Sequence, residues 1–241
     1  MARTQTASAI INKVAVEVGL AAVQDPWAET DGNFTQLIGL LNSAGEELVE
    51  LHPWQRLKST TTYTTDGTGS QAVPVDFCYM IDQTGWNRSS NIPLLGPASS
   101  QEWAFLIGRN LNGESIYLTF NFEDDEMTYF PTDNTGSEIA YEYVSRNWVA
   151  DGTDPTVHKD AADNASDLVL YEPILMQKFL KAKFLEAKGF DASSARLEFE
   201  NMFLSRTGKD KGAPTLSASR SRNSLLLLNV WRNISDTGYG L

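Results

Sequence analysis

The chain has 241 residues, 41% of them hydrophobic, which is enough for a sizeable core in one large domain or in one domain carrying an insertion. Its 31 acidic residues against 19 basic ones leave a formal charge of −12, which excludes a surface devoted to coating nucleic acid. A single cysteine excludes an internal disulfide framework, and the longest purely aliphatic run, at 225–228, is too short to span a bilayer.

The opening M-A-R-T-Q-T-A-S lacks the long apolar stretch of a secretory leader, so a soluble, unsecreted product is expected. Ile10, Ile11, Val14 and Val18 then fall at helical spacing, and Gly19 suits the C-terminal cap of a first helix over 8–18. After Asp25-Pro26, the residues Phe34, Leu37, Ile38, Leu41, Ala44, Leu48 and Leu51 recur every three or four positions until Pro53 forbids continuation. Asp31 or Asn33 is the N-cap of this second helix.

Beyond Pro53 the period shortens to that of strands. Residues 54–65 are rich in Thr, Trp and Tyr, and Asp66-Gly67-Thr68-Gly69 predicts a β-hairpin turn after them. Residues 77–81 form a short, largely buried strand in which Cys78 reads as a small buried hydrophobe. Gly85 and the polar residues 87–91 punctuate it before Ile92 to Leu95 cross back and close at Gly96-Pro97. Ser99 and Glu102 spell a capping box that opens a short helix through Ile107, and Trp86 and Trp103 are expected to share one small core. Ile116, Leu118 and Phe120 alternate with Tyr117, Thr119 and Asn121 in a strand that turns at Glu123-Asp124-Asp125-Glu126 into 127–130. After turns at Pro131 and 133–136, Ile139, Tyr141 and Tyr143 alternate with Ala140, Glu142 and Val144 in a last strand ending near Trp148.

Residues 151–167 make a polar loop long enough to be a functional surface. Pro173 then opens a helix whose apolar face holds Ile174, Leu175, Phe179, Ala182, Phe184 and Leu185, ended by Gly189. Leu197, Phe199, Met202 and Phe203 predict another helix, ending near Gly208. The expected fold class is α+β. A four-helix bundle is built from a helix pair in 1–53 and a loop and helix pair in 150–208. An antiparallel β domain, 54–149, is inserted between them, and 209–241 forms an extended arm.

That arm is basic at first and then carries Leu225, Leu226, Leu227, Leu228, Val230 and Trp231 before ending in D-T-G-Y-G-L. Such a cluster needs a groove, so Arg220, Arg222, the four leucines, Val230, Trp231 and Tyr239 are the expected partner-binding residues. Charge is lopsided too: 121–172 holds thirteen acidic residues against Arg146 and Lys159, whereas 205–232 holds six basic residues against Asp210. Opposite ends of that asymmetry can meet in an assembly.

The side chains of catalysis are not arranged for it. His52 and His158 have no Cys or carboxylate at zinc spacing, the aspartates at 151, 154, 160, 163 and 167 lack the EF-hand pattern, and there is no phosphate-binding glycine loop. No catalytic residue, metal ligand or cofactor is expected. The acidic turn at 123–126, with Trp54, Trp86 or Trp148 as a stacking platform, supports one alternative, a carbohydrate-binding or glycan-cleaving component. Arg206, Lys209, Lys211, Arg220 and Arg222 can touch DNA phosphates, but no interleaved aromatic residues or reading helix suggest sequence-specific recognition.

Several short stretches carry a resemblance. They are E-E-L-V-E-L-H-P-W-Q-R-L at 46–57, V-P-V-D-F at 73–77, G-W-N-R-S at 85–89, P-L-L-G-P at 93–97, S-x-Q-E-W at 99–103, E-Y-V-S-R-N-W at 142–148 and the terminal D-T-G-Y-G-L. In these the chain resembles the head-to-tail adaptor proteins of short-tailed bacteriophages, the family that includes tail tubular protein A. The resemblance implies a non-enzymatic virion protein of the neck or tail, present in the host cytoplasm during assembly and not bound to membrane. It also implies a homo-oligomeric ring, a dodecamer, that joins the portal protein to the tail nozzle protein and lines the channel through which DNA passes without sequence preference. An acidic wall would let DNA slide. The chain is longer than the shortest such adaptors, with the excess in the β insertion and the arm.

Overall fold

The two runs of helical spacing at the start of the chain become helices with the caps their sequences supply. In the computed structural model, which describes residues 4–109, 117–132 and 134–210, strand β1 (Gln5–Thr6) leads into helix α1 (Ala7–Glu17). The Thr6 hydroxyl accepts from the Ala9 amide at 3.2 Å, and Gly19 closes the C-terminal end at a φ of +87°, a left-handed conformation that costs glycine little. Asp31 caps α2 (Gly32–Leu51), its carboxylate accepting from the Asn33 amide at 3.0 Å. The apolar faces read from spacing are the buried ones: Ile10, Ile11 and Val14 on α1, and Phe34, Leu37, Leu41, Ala44 and Leu48 on α2.

A single helical turn (Gln55–Leu57) follows Pro53, and the middle of the chain then supplies most of the strands. These are β2 (Lys58–Asp66), β3 (Ser70–Ala72), β4 (Phe77–Met80), β5 (Trp86–Asn87) and β6 (Ile92–Pro93), then helix α3 (Ser100–Arg109), then β7 (Thr119–Glu123), β8 (Glu126–Phe130) and β9 (Thr135–Ser145). After β10 (Val149–Ala150), β11 (His158–Lys159) and β12 (Leu168–Val169) the chain returns to helix in α4 (Pro173–Ala187) and α5 (Ser193–Asp210).

Strand β9, eleven residues long, is the spine of the largest sheet. It pairs with β2 from Lys58↔Val144 to Asp66↔Thr135, and on its other edge with β5 and then β4, all antiparallel. Strands β3, β8 and β7 make a second sheet, and β1, β12, β10 and β11 a third that ties the N-terminus to the segments before α4. The hairpin expected at 66–69 does not form. The nine residues of β2 find a partner of comparable length in β9, which three-residue β3 could not offer, so the glycine-bearing turn carries the chain from one sheet to the next. The expected turn between β7 and β8 does form, with Asp124 at φ +48° and Asp125 at +63°, the pair of left-handed residues that a two-residue hairpin turn demands.

Among the described residues the buried apolar side chains gather in two clusters. One lies among the helices and takes in Trp54, Leu57, Val144, Trp148 and Val149. The other lies under the sheets, where Ile139, Tyr141 and Tyr143 of β9 meet Leu118, Phe120, Met127 and Tyr129. Neither Trp86 nor Trp103 belongs to the second cluster, contrary to the expected shared core. Both are half-buried, and α3, which runs a turn's fraction beyond Ile107, buries none of its residues. Its capping box is real: the Glu102 carboxylate accepts from the Ser99 amide at 3.0 Å, and the Ser99 hydroxyl accepts from the Glu102 amide at 3.3 Å.

Helix α4 is the common neighbour of α1, α2 and α5. Three of its lysines reach three different helices: Lys178 to Glu198 of α5 at 2.7 Å, Lys181 to Glu17 of α1 at 2.9 Å, and Lys183 to Glu47 of α2. Each bridge is worth little on a wet surface, about 0–1 kcal/mol, but together they key the orientation of α4 to all its neighbours. Beneath them Phe179 stacks on Phe199 with ring centroids 4.1 Å apart.

Candidate assembly surface

The end of α5 is fastened to the turn after α2. Pro53 stops α2, and the Trp54 indole then donates back to the Leu48 carbonyl at 2.7 Å. The same ring makes edge contacts with Tyr171 and Phe203 at centroid distances of 5.8 and 6.0 Å. Asp210, the last residue of α5, accepts from the Gln55 amide at 2.9 Å and meets His52 Nε2 at 3.3 Å. Arg56 donates to the Leu170 carbonyl at 2.9 Å, and Arg206 meets Glu172 at 3.4 Å. Around these contacts opens a cleft of about 300 Å³ lined by Trp54, Leu170 and Tyr171, by the cations Arg56, Arg206 and Lys209, and by the carboxylates Glu172 and Asp210, which Arg206 and the Gln55 amide already engage. Within the described residues Arg56 and Lys209 form no ion pair.

A separate feature, wholly acidic, is the β7–β8 turn. Glu123, Asp124, Asp125 and Glu126 are all exposed, and Glu123 stands directly across from Glu126 in the ladder. The Asp125 carbonyl accepts from the Val73 amide at 3.1 Å, so the backbone of the turn is held while its carboxylates face solvent.

The polar loop at 151–167 is organised by one buried carboxylate. Asp167 is fully buried and accepts from the amides of Gly152 at 3.2 Å and of Asp163 and Asn164 at 3.0 Å each. Lys159 completes it at 2.9 Å while also reaching Asp163 and Asp151. Burial pulls the Lys159 pKa down, but the hydrogen bonds to Asp163, Asp167 and Asp151 outweigh it and raise the ammonium above its ordinary value. Burial likewise works against the Asp167 carboxylate, yet the Lys159 ammonium and the amide donors hold its pKa below the usual range. An ammonium therefore fills the place a cation would take, and among the described residues no group of three acidic, His or Cys side chains is set to hold a metal.

The residues of the glycan alternative do not come together. Trp148 is 0% exposed and Trp54 7%, both in the helical cluster. Trp86 lines a different cavity from Trp54, one of about 480 Å³ on the β9 sheet beside Thr60, Arg88 and Glu142. The acidic turn belongs to a different sheet. Cys78, read from sequence as a buried hydrophobe, is half-buried, and its thiol donates to Glu50 Oε1 at 3.2 Å.

Large apolar side chains remain exposed on the helices. Leu197 and Leu204, seven residues apart on α5 and so on one side of it, are 59% and 69% exposed. Phe190 before α5 and Phe105 and Ile107 on α3 are also exposed. The residues predicted to bind partners, Arg220, Arg222, Leu225, Leu226, Leu227, Leu228, Val230, Trp231 and Tyr239, lie outside the described residues. The anchoring of Asp210 by His52 and Gln55 had no signal in spacing, because its partners are about 155 positions away.

No curated protein matches the chain. The family model for the SU10 adaptor protein matches residues 5–224, nearly its whole length and including both charged features described above. The chain therefore belongs to the SU10 adaptor protein family of phage head-to-tail adaptors.

Proposed function

We propose that this chain is a structural, non-enzymatic subunit of the phage neck, assembled from the host cytoplasm into a closed ring that joins the portal protein to the tail nozzle protein. The observation that carries this reading is the family match across 5–224. In it the helices supply the body of the ring as a four-helix bundle, 54–149 is an inserted β domain, and 209–241 is an arm that reaches a partner. A cyclic ring needs two different faces on each subunit that fit each other, and Leu197 and Leu204 on the outside of α5 are apolar surface of the kind one such face requires. The dodecameric count follows from the resemblance to short-tailed phage adaptors. The formal charge of −12 suits a subunit whose ring surrounds passing DNA without holding it. No helix among the described residues is long and apolar enough to cross a membrane.

The test is electron microscopy of the purified chain mixed with portal rings. Extra ring density stacked on the portal is the expected result, and portal particles indistinguishable from those without the chain would refute it.

A further inference from the structure

Two charged features carry side chains that form no ion pair with another described residue. One is the cleft at the root of α5, where Arg56 and Lys209 form no ion pair and the guanidinium of Arg56 uses one nitrogen on the Leu170 carbonyl. The other is the β7–β8 turn, whose four carboxylates form no ion pair either. We propose that they bind each other between copies: the acidic turn of one subunit enters the cleft of the next and meets Arg56 and Lys209, the cations there that Glu172 and Asp210 do not pair. This deepens the ring reading and rests on it.

Shape and charge both favour that occupant. A two-residue turn is the narrowest end a hairpin presents, and a cleft of about 300 Å³ holds roughly ten waters that its side chains would displace. Arg56 keeps free donors in a fork suited to a carboxylate, and Lys209 adds a second cation. Both features are rigidly mounted. Trp54 under the cleft is locked to Leu48 and Tyr171, and Met127, next to the turn, is buried in the second cluster. They sit on different clusters of the fold, which is what a head-to-tail contact demands: a projection and a socket that are not the same patch. Charge pairing of this kind sets register and partner choice, and a like charge placed opposite is strongly disfavoured.

Charge reversal of the full chain tests the contact. Glu123→Lys with Glu126→Lys leaves the left-handed Asp124-Asp125 turn intact, and Arg56→Glu with Lys209→Glu reverses the rim of the socket. Either pair should weaken ring assembly by about tenfold or more, read by sedimentation velocity or by ring counts on portal, and all four changes together should recover most of it. Rings that form equally well with either pair reversed, or a fourfold variant no better than the pairs, overturn the proposal. As a second measurement that does not depend on charge, Glu126→Cys with Lys209→Cys in a Cys78→Ser background should give a ladder of disulfide-linked multimers in assembled rings. Rings without that ladder overturn the contact and leave the ring standing, whereas a parent chain that forms no ring alone or on portal overturns both. Loss of salt-sensitive DNA binding on Arg56→Glu with Lys209→Glu, with assembly unchanged, would assign the cleft to phosphates and overturn the contact.

Discussion

Gly45 of α2 lies so close against the Trp148 indole that a Cβ on it would stand 2.1 Å from Trp148 Cε2. The Tyr171 hydroxyl donates to the carbonyl of the same glycine at 2.9 Å, and the Tyr171 ring stacks on Trp148 at a centroid distance of 5.9 Å. Three stretches of chain therefore meet at one missing side chain. Gly45→Ala should destabilise the fold by about 1–3 kcal/mol through overpacking, although alanine is the better helix former by ~1 kcal/mol. Gly39→Ala in the same helix meets nothing within 4 Å and should be neutral or stabilising. Urea denaturation of the two variants checks the contrast, and equal effects would dismiss the close approach.

The buried Asp167 sets the second prediction. Asp167→Ala leaves the Lys159 ammonium and three amides without their acceptor and should cost about 3–5 kcal/mol. The Asp167 carboxyl is held below its ordinary 3.8, so its contribution is present above that pH and lost as pH falls through the lowered value. Lys159 is raised above its ordinary 10.5, so its contribution is full below that pH and lost only as pH rises through the raised value. The stability gap between the parent and Asp167→Asn should be flat across the window between those two values and shrink in strong acid. Thermal melts across the range measure it, and a gap that peaks near neutrality would contradict the assignment.

Cys78 supplies the third. Burial, and then the hydrogen bond to Glu50, push its thiol pKa up from 9.0 to about 12. At pH 8 that leaves roughly a thousandfold less thiolate than an ordinary cysteine carries, and the thiolate is the reactive form. Iodoacetamide should therefore label the native chain far more slowly than the urea-unfolded one, and Glu50→Gln should speed native labelling. Native labelling as fast as unfolded would place the thiol elsewhere.

Much of this architecture was legible from spacing because the signals are local. The faces of α1 and α2, the Asp31 cap, the Ser99–Glu102 box and the Asp124-Asp125 turn each depend on residues within a few positions of one another. What failed to show was pairing at a distance. The glycines at 67 and 69 announce a turn truthfully, yet whether β2 pairs with the strand after it or with β9 is decided by strand length and by which face each cluster buries. The same holds for the site. The acidic turn could be read directly, whereas the cleft exists only because Arg56, Tyr171 and Arg206, on segments far apart in sequence, line one space. Trp54 and Trp148 look alike in sequence to the half-buried Trp86, and only packing separates them.

The arm gives the last prediction, and the structure dictates where it should be cut. Asp210 caps the join between α5 and the Gln55 turn, so a truncation must keep it if loss of binding is to be told from loss of folding. A chain ending at Asp210 should melt where the parent does and fail to join portal rings, since the arm's leucine cluster and Arg220 and Arg222 are then gone. A chain ending at Gly208 also loses the bonds that Asp210 accepts from Gln55 and shares with His52, and should be less stable by about 1.5–3 kcal/mol, the range for hydrogen bonds to a charged group. Calorimetry separates the two truncations, and portal co-sedimentation reads the joining. Portal binding retained by the chain ending at Asp210 would move partner recognition off the arm and onto the body, where Leu197 and Leu204 are the exposed apolar candidates.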